Sequence, residues 1–385
     1  MTDMPSTNLT MLSEIKDGGT LEISLARLPM PQPKPHEVLV KVLATPINPS
    51  DLGLLVGAGD VSQATAGTRD GLPLVTAPVS AAGLRAMAGR LNEAMPIGNE
   101  GCGIVIAAGS NPEAQALVGK TVAMLGGAIY AEYRSLPVQM CMVLPDGTDT
   151  EDGASCFVNP LTSLAFTEVM KAEGHSAIVH TAAASNLGQM LVKICAKDGI
   201  PLVNIVRSAA QVELLRGIGA AHVLDSSSDT FRKDLVAALI ETGATIAFDA
   251  IGGGALGGQI LGAMEQAAVA RMATYSRYGS DSFKQLYIYG ALDLAPTSFN
   301  RSFGFSWAIS GFLLTPFMQK AGAETVGRMR QRVVDELTTT FASHYSHRVT
   351  LDQALDVATL QAYNAKRTGE KYLILPHGQA AIAAG

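Results

Sequence analysis

The sequence predicts an α/β protein in which a doubly wound parallel sheet is joined to a smaller β-rich domain. After Val158, apolar strands alternate with amphipathic stretches that end in glycine, the rhythm of parallel strands linked by crossover helices. Before that point, short strand-like runs alternate with clusters of Gly, Pro and Asn. The length of 385 residues exceeds what one hydrophobic core usually supports, so two domains are expected.

Taken in order, MTDMPSTNLTMLSEIKDGG lacks a basic segment followed by an apolar one, so no secretory signal is read there and the expected compartment is the cytoplasm. From Leu21 to about Pro137, LEISLARL, EVLVKVLAT, GCGIVIAAG, KTVAMLG and AEYRSLP read as strands. Gly57 to Met95, rich in Gly, Ala and Thr and carrying Arg69, Arg85 and Arg90, is long for a loop and reads as an insertion able to act as a lid. In the second half the strands are SAIVHT, PLVNIVR, AHVLDS, TIAFDAI and KQLYIYG. Between them LGQMLVKICAKDG, AAQVELLRGIG and FRKDLVAALIETG have helical spacing and glycine C-caps.

Two later segments stand apart. Tyr275 to Phe317 holds eleven of the 21 aromatic residues, which fits a pocket wall, a subunit interface or both. Ser302 to Gln319 is uncharged, yet its serines, threonine and proline favour a buried interface element over a membrane span. From about His344 the chain turns polar, and EKYLILP is expected to return to the first domain.

Composition narrows the function classes. With 48% hydrophobic residues, 39 glycines and 16% charged residues, the chain is globular and not fibrous or disordered. A net charge of -6 and no Lys/Arg cluster argue against a nucleic-acid partner. Cys102, Cys141, Cys156 and Cys195 form no C-x-x-C pair, so they read as reduced, mostly buried thiols.

The strand SAIVHT runs into Ala182, Ala183, Ala184, Ser185, Asn186, Leu187 and Gly188 and then into a helix, the strand–turn–helix order of a pyrophosphate site. Small residues let backbone N–H groups reach phosphate oxygens, and the helix N-terminus supplies about half a positive charge. Asn186 stands where glycine is more common, and asparagine tolerates left-handed geometry. An ordinary tight turn is the competing reading. After VNIVR, an NAD site places Asp or Glu; this chain has Arg207 and Ser208. A guanidinium suits a 2′-phosphate, hence NADPH, whereas a solvated strand-end charge is the plainer alternative. His180 inside the first strand reads as a hydrogen-bonded core residue, and Asp249 as a cofactor-edge residue or a turn cap.

In sequence order INPSD (47–51), GNEGCGIV (98–105), NPLTSL (159–164), AAASNLG (182–188), FDAIGG (248–253), YGALD (289–293) and GEKYLILP (369–376) resemble the medium-chain dehydrogenase/reductase superfamily in its zinc-independent quinone oxidoreductase branch. The resemblance implies a GroES-like catalytic domain made from residues 1–158 and 344–385, a Rossmann domain at 159–343, and a homodimer joined at the Rossmann sheet edge, with Ser306 to Phe317 as the dimer strand. It also implies cofactor contacts from Asn48, Thr162, Tyr289, Gly290 and Lys371 beside the dinucleotide turn, Arg207 and Ser208.

Zinc relatives carry Cys or His where this chain has Asn48 to Asp51, Asn99 and Asn159, which are poor Zn²⁺ ligands; no metal is expected. Without a Lewis acid a conjugated acceptor, a quinone or an α,β-unsaturated carbonyl, suits hydride transfer better than a simple ketone. Asn48 and Asp51 are then catalytic orientation residues, although Asn-Pro-Ser-Asp is equally a turn and N-cap sequence. Tyr130 and Tyr289 are candidate proton donors or pocket hydrogen bonders. An enoyl thioester reductase is the alternative, weakened because its relatives use a tyrosine soon after INPSD and none precedes Tyr130 here. A non-catalytic NADPH-binding protein is the reading from another class.

Overall fold

The computed structural model describes residues 4–378, so the first three residues of the N-terminal stretch and the last seven of the expected C-terminal return lie outside the described residues. The chain divides into two units, Met1–Val158 with Val333–Gly385, and Asn159–Arg332. The second boundary falls at Val333, within the helix Leu314–Asp335, and not at His344. A helix that crosses a boundary leaves no break in periodicity for the sequence to show.

The first unit holds two antiparallel-rich sheets. One has the order Thr65–Arg69, Leu72–Pro78, Thr20–Pro29, Thr7–Lys16, Met95–Pro96. Thr7–Lys16 pairs along its whole length with Thr20–Pro29, and buries Met11 and Ile15 together with Thr10 and Ser13. Those polar residues at inward positions conceal this strand in the sequence.

The segment 57–95 is not a structureless loop. It folds as the hairpin Thr65–Arg69/Leu72–Pro78, turned at Asp70 and Gly71 with φ of 52° and 75°, followed by the short helix Ala81–Ala86. Two consecutive left-handed residues are what a two-residue hairpin loop of primed type requires. Leu72–Pro78 extends the sheet through Thr20–Pro29 and sends Val75 and Ala77 into the core. Two of its three arginines are committed structurally: Arg69 pairs with Glu22 at 2.7 Å, and Arg90 donates to Leu54 O at 2.7 Å and Ser13 Oγ at 2.9 Å, while Arg85 is exposed.

The other sheet has the order Cys141–Val143, Thr121–Leu125, Glu100–Ala108, Glu37–Pro46, Tyr372–Ile374, His347–Val349, with Tyr133–Pro137 also on Glu37–Pro46. Antiparallel pairing of Leu373 with Pro46 and Ile374 with Thr45 returns the late chain to this unit.

The second unit is a parallel sheet ordered His222–Asp225, Leu202–Val206, Ile178–His180, Ile246–Asp249, Lys284–Ile288, Trp307–Gly311. Numbered along the chain within this sheet, that is 3-2-1-4-5-6, the doubly wound Rossmann order. The strand Leu202–Val206 is buried at every position, as helices on both faces demand. Gly199 and Gly243 end their helices in left-handed C-caps, φ 66° and 72°. Aromatic residues from the late segment build core: Phe166 stacks on Phe248 at 3.9 Å, with Tyr289 and Phe312 against Phe166 at 4.9 and 5.2 Å. Tyr275, Phe305 and Leu294 are instead 92, 83 and 87% exposed.

A buried ion pair ties this unit together. Lys284 Nζ lies 2.6 Å from Glu265 Oε2 and also donates to Ser280 Oγ and Ser282 O, while Glu265 accepts from Ser280 N and Oγ. Such a pair is tolerated in a low-dielectric interior because its donors and acceptors are met. The expected interface strand is Trp307–Gly311, shorter than Ser306 to Phe317, since the chain becomes helical at Leu314. Among the described residues no helix is long and apolar enough to cross a membrane.

Candidate active site

In the second unit the strand Ile178–His180 leads through Thr181–Ser185 into the helix Asn186–Asp198. Ser185 is its N-cap, its Oγ accepting from Gly188 N at 3.1 Å. The left-handed residue of the turn is Ala182, φ 48°, and not Asn186, which is the first residue of the helix. Gly188 is fixed by packing: a Cβ there would lie 2.1 Å from Ala183 O, so only glycine lets the helix approach the turn this closely. Ala183 and Ala184 are buried behind that approach, with Leu187 at 8% exposure. A helix of thirteen residues headed by small side chains fits a pyrophosphate, with N–H groups and the positive end of the dipole directed at it.

The neighbouring strand ends in Val206, after which Arg207 is exposed and its backbone N–H donates to Gln211 Oε1 at 3.0 Å. Ser208 caps the helix Ala209–Gly217 by accepting from Gln211 N. Strand pairing of His180 with Asn204 sets Arg207 at the same sheet edge as the dinucleotide turn, the carboxyl edge at which open α/β sheets take ligands. Asp249 is a turn cap: its carboxylate accepts from Thr181 Oγ1 at 2.6 Å and from Ile251 and Gly252 N–H. Tyr289 follows Lys284–Ile288, and its hydroxyl meets His180 Nε2 at 2.7 Å. Gly290 must be glycine, because a Cβ would meet Ala250 O at 2.6 Å. Thr162 is buried, at 8% exposure, on the helix Val158–Ala172, as is Asn159 at 9%.

The first unit assembles a second group of residues. Asn48 is the N-cap of the helix Pro49–Leu55, with Asp51 at N3 completing a reciprocal capping box. Asp51 accepts from Asn48 N at 2.8 Å and from Asn99 N at 2.9 Å. Its burial, with the Glu100 charge adding to the effect, pushes its carboxyl up to about 7. Glu100, 1% exposed, accepts from Asn48 Nδ2 at 2.7 Å and from Phe157 and Val158 N–H at 2.9 Å each. Burial raises its pKa against those bonds and the Lys371 charge.

Tyr130 is fully buried; its hydroxyl donates to Pro46 O at 3.0 Å beside Asp51, and burial holds it far above the usual phenol range. That engagement commits its hydroxyl hydrogen to the backbone of Pro46. Lys371 Nζ donates to Ser155 Oγ at 2.8 Å and Ser343 Oγ at 3.3 Å and sits 5.1 Å over the Tyr345 ring, with burial lowering its pKa to about 8. Its ammonium is thus held inside the first unit by these partners.

No group of three or more His, Cys, Asp or Glu among the described residues could hold a metal ion. The oxygens of Asp51 and Glu100 accept from N–H groups, and the Asn99 carboxamide donates to Ser50 Oγ at 3.3 Å. This donor set does not fit Zn²⁺, which selects thiolate, imidazole and carboxylate in sets of three or four. Sequence reasoning passed over Glu100 as an anchor and the link from His180 to Tyr289. The first has a signal in the N-E-G run, and the second joins positions 109 residues apart with none.

No protein-family profile matches the chain. Squalestatin hexaketide synthase of Phoma sp. is 28% identical over 165 residues, 41% of this chain and 6% of that protein. The mitochondrial enoyl-[acyl-carrier-protein] reductase of Xenopus tropicalis is 26% identical over 222 residues, 54% of each chain. The chain therefore spans about half, or far less, of the length of these curated relatives. A crystal structure of a Mesorhizobium loti protein assigned as an NADPH:quinone reductase is 27% identical, with a TM-score of 0.74 over 97% of this chain and all of that one. The parallel 3-2-1-4-5-6 sheet and this likeness over nearly the whole length agree: the chain is similar in fold and sequence to the reductases of the medium-chain dehydrogenase/reductase superfamily.

Proposed function

We propose that the protein is a zinc-independent, NADPH-dependent reductase of a small conjugated carbonyl compound, a quinone or an α,β-unsaturated carbonyl. The observation that carries this reading is the Thr181–Gly188 turn, where Gly188 packs on Ala183 O and opens the helix N-terminus to a pyrophosphate. When bound, NADPH supplies a hydride to an electron-poor carbon. Ala182 to Gly188 hold the pyrophosphate, and Arg207 with Ser208 meets the 2′-phosphate at the strand end. Thr162, Tyr289 and Gly290 line the remaining dinucleotide site.

Asn48 orients the nicotinamide ribose. Asp51, with a pKa of about 7, holds a proton near neutrality, the condition for proton supply once charge has built on the acceptor. Tyr130 is anchored to Pro46 O, and Lys371 fixes the C-terminal strand through Ser155. Absence of fitting metal ligands favours conjugated acceptors, in which charge is delocalised. A homodimer through the Trp307–Gly311 edge, which is paired on one side only among the described residues, is part of the proposal.

Reduction of an enoyl thioester is the second reading, favoured by the enoyl-[acyl-carrier-protein] reductase relatives. Steady-state NADPH oxidation with a quinone, an enone and a crotonyl thioester side by side separates the two. Turnover confined to the thioester shifts the assignment to it, and no turnover with tight NADPH binding removes both. Arg207→Ala should lower the kcat/KM preference for NADPH over NADH by about 10- to 150-fold, as loss of one charged hydrogen-bonding partner of ~1.5–3 kcal/mol implies, with the lower end expected for an exposed side chain; an unchanged preference removes Arg207 from its role.

A further inference from the structure

We propose that His180 is a positioning residue that donates from Nε2 to Tyr289, leaving the Tyr289 hydroxyl hydrogen to be given to an oxygen acceptor in the nicotinamide half of the dinucleotide. The inference rests on the cofactor reading above and adds a donor to it.

His180 is 0% exposed, and burial holds its imidazole down at about 3, so the ring is neutral and carries one hydrogen on its two nitrogens. Nε2 lies 2.7 Å from Tyr289 Oη, whereas Nδ1 is buried with no partner among the described residues. Two arrangements satisfy the short contact. If the tyrosine donates, the ring hydrogen must sit on Nδ1, where it becomes a buried N–H with no acceptor. If the histidine donates, Nδ1 presents only a lone pair to its surroundings, among them the Phe166 ring at 5.9 Å. The first arrangement seals the unmet donor at fully buried Nδ1, whereas the second places it on the Tyr289 hydroxyl, which is only part-buried, so the second arrangement wins.

The consequence falls on Tyr289. Its oxygen is occupied as an acceptor and its own hydrogen has no acceptor in the fold. The ring cannot swing far: it stacks on His180 with an interplanar angle of 14° and leans on Phe166 at 4.9 Å. Its backbone N–H is held by Asp249 O at 2.9 Å. Burial raises the phenol pKa, so the group stays protonated and acts as a donor. Tyr289 follows the fifth strand in chain order of the parallel sheet, within the second mononucleotide-binding half, while Arg207 follows the second strand in the first half. Opposite halves take opposite ends of a dinucleotide, which assigns Tyr289 to the nicotinamide side.

Selective ¹⁵N labelling of histidine, with the His180 signals identified by their loss in His180→Asn, reads the tautomer directly. Protonated Nε2 with a lone-pair Nδ1 is expected; the reverse pattern overturns the proposal. Tyr289→Phe should raise the NADPH Kd and KM roughly 3- to 10-fold, the worth of one neutral hydrogen bond, with a smaller change in kcat. His180→Asn should add little on top of Tyr289→Phe, because it acts through that hydroxyl. An unaltered NADPH Kd in Tyr289→Phe, with wild-type binding intact, overturns the donor. Failure of the wild-type protein to bind NADPH sinks the cofactor reading instead, and the ¹⁵N pattern still decides the tautomer.

Discussion

Removing the Glu100 carboxylate should be among the most damaging single changes in the first unit. Its two oxygens accept from three N–H groups, the buried Asn48 Nδ2 at 2.7 Å and Phe157 backbone at 2.9 Å and the part-buried Val158 backbone at 2.9 Å. Glu100→Ala takes the carboxylate acceptor from all three, and a buried donor that loses its acceptor costs about 1–3 kcal/mol. Allowing for relaxation and shared effects, about 3–6 kcal/mol is expected, a large part of a domain stability of about 5–15 kcal/mol. Glu100→Gln is the informative companion. Its single oxygen can serve the two backbone donors, but its amide then faces Asn48 Nδ2, donor against donor. The reciprocal pair Asn48→Asp with Glu100→Gln restores a donor opposite an acceptor. Urea unfolding at pH 7, with m-values compared to check two-state behaviour, gives each free energy and the coupling. A loss below about 1 kcal/mol in Glu100→Ala, or strict additivity in the pair, refutes the reasoning.

Asp51 predicts a pH effect. Its folded pKa of about 7 exceeds the unfolded value of about 3.9, so the folded state binds more protons between those values. Stability from this group is complete at low pH and is lost as pH rises through about 7; urea midpoints of Asp51→Asn should lose that slope, and an unchanged slope between pH 4.5 and 8 counts against it. Gly188→Ala should cost about 1–3 kcal/mol by forced overpacking against Ala183 O and weaken NADPH binding, read by thermal unfolding and fluorescence titration; tolerance of alanine on both counts contradicts the close approach. Lys284→Met leaves Glu265 buried without its cation, so a loss of about 3–5 kcal/mol is expected by urea denaturation, and Lys284→Met with Glu265→Leu should regain most of it.

The Rossmann half was legible because its strands are apolar on both faces and its helices close on glycine, features that survive in sequence without neighbours. The hairpin at 65–78 was hidden because Thr65–Arg69 is exposed at every position and offers no alternation, so a strand of threonine, alanine and glycine reads as loop. Thr7–Lys16 was hidden by the buried Thr10 and Ser13. At the site, the Asn-Pro-Ser-Asp run announced its capping box, since N-cap chemistry is local. What Asp51 and Glu100 do could not be read locally, because their partners arrive from Asn99, Phe157 and Val158 through tertiary folding. The left-handed residue was misplaced for a related reason: asparagine has the propensity, but the turn geometry fell on Ala182.

The contact between Gly188 and Ala183 also bears on how the protein can be altered. A position that rejects even a methyl group leaves selection almost no alternatives, so in random libraries spread across residues 182–188 the folded clones should retain glycine at 188 far more often than chance. Exposed Arg207, at the end of the next strand, carries no such restriction. Attempts to exchange one nicotinamide coenzyme for the other therefore have their freedom at Arg207 and its neighbours, with the phosphate turn treated as fixed scaffold.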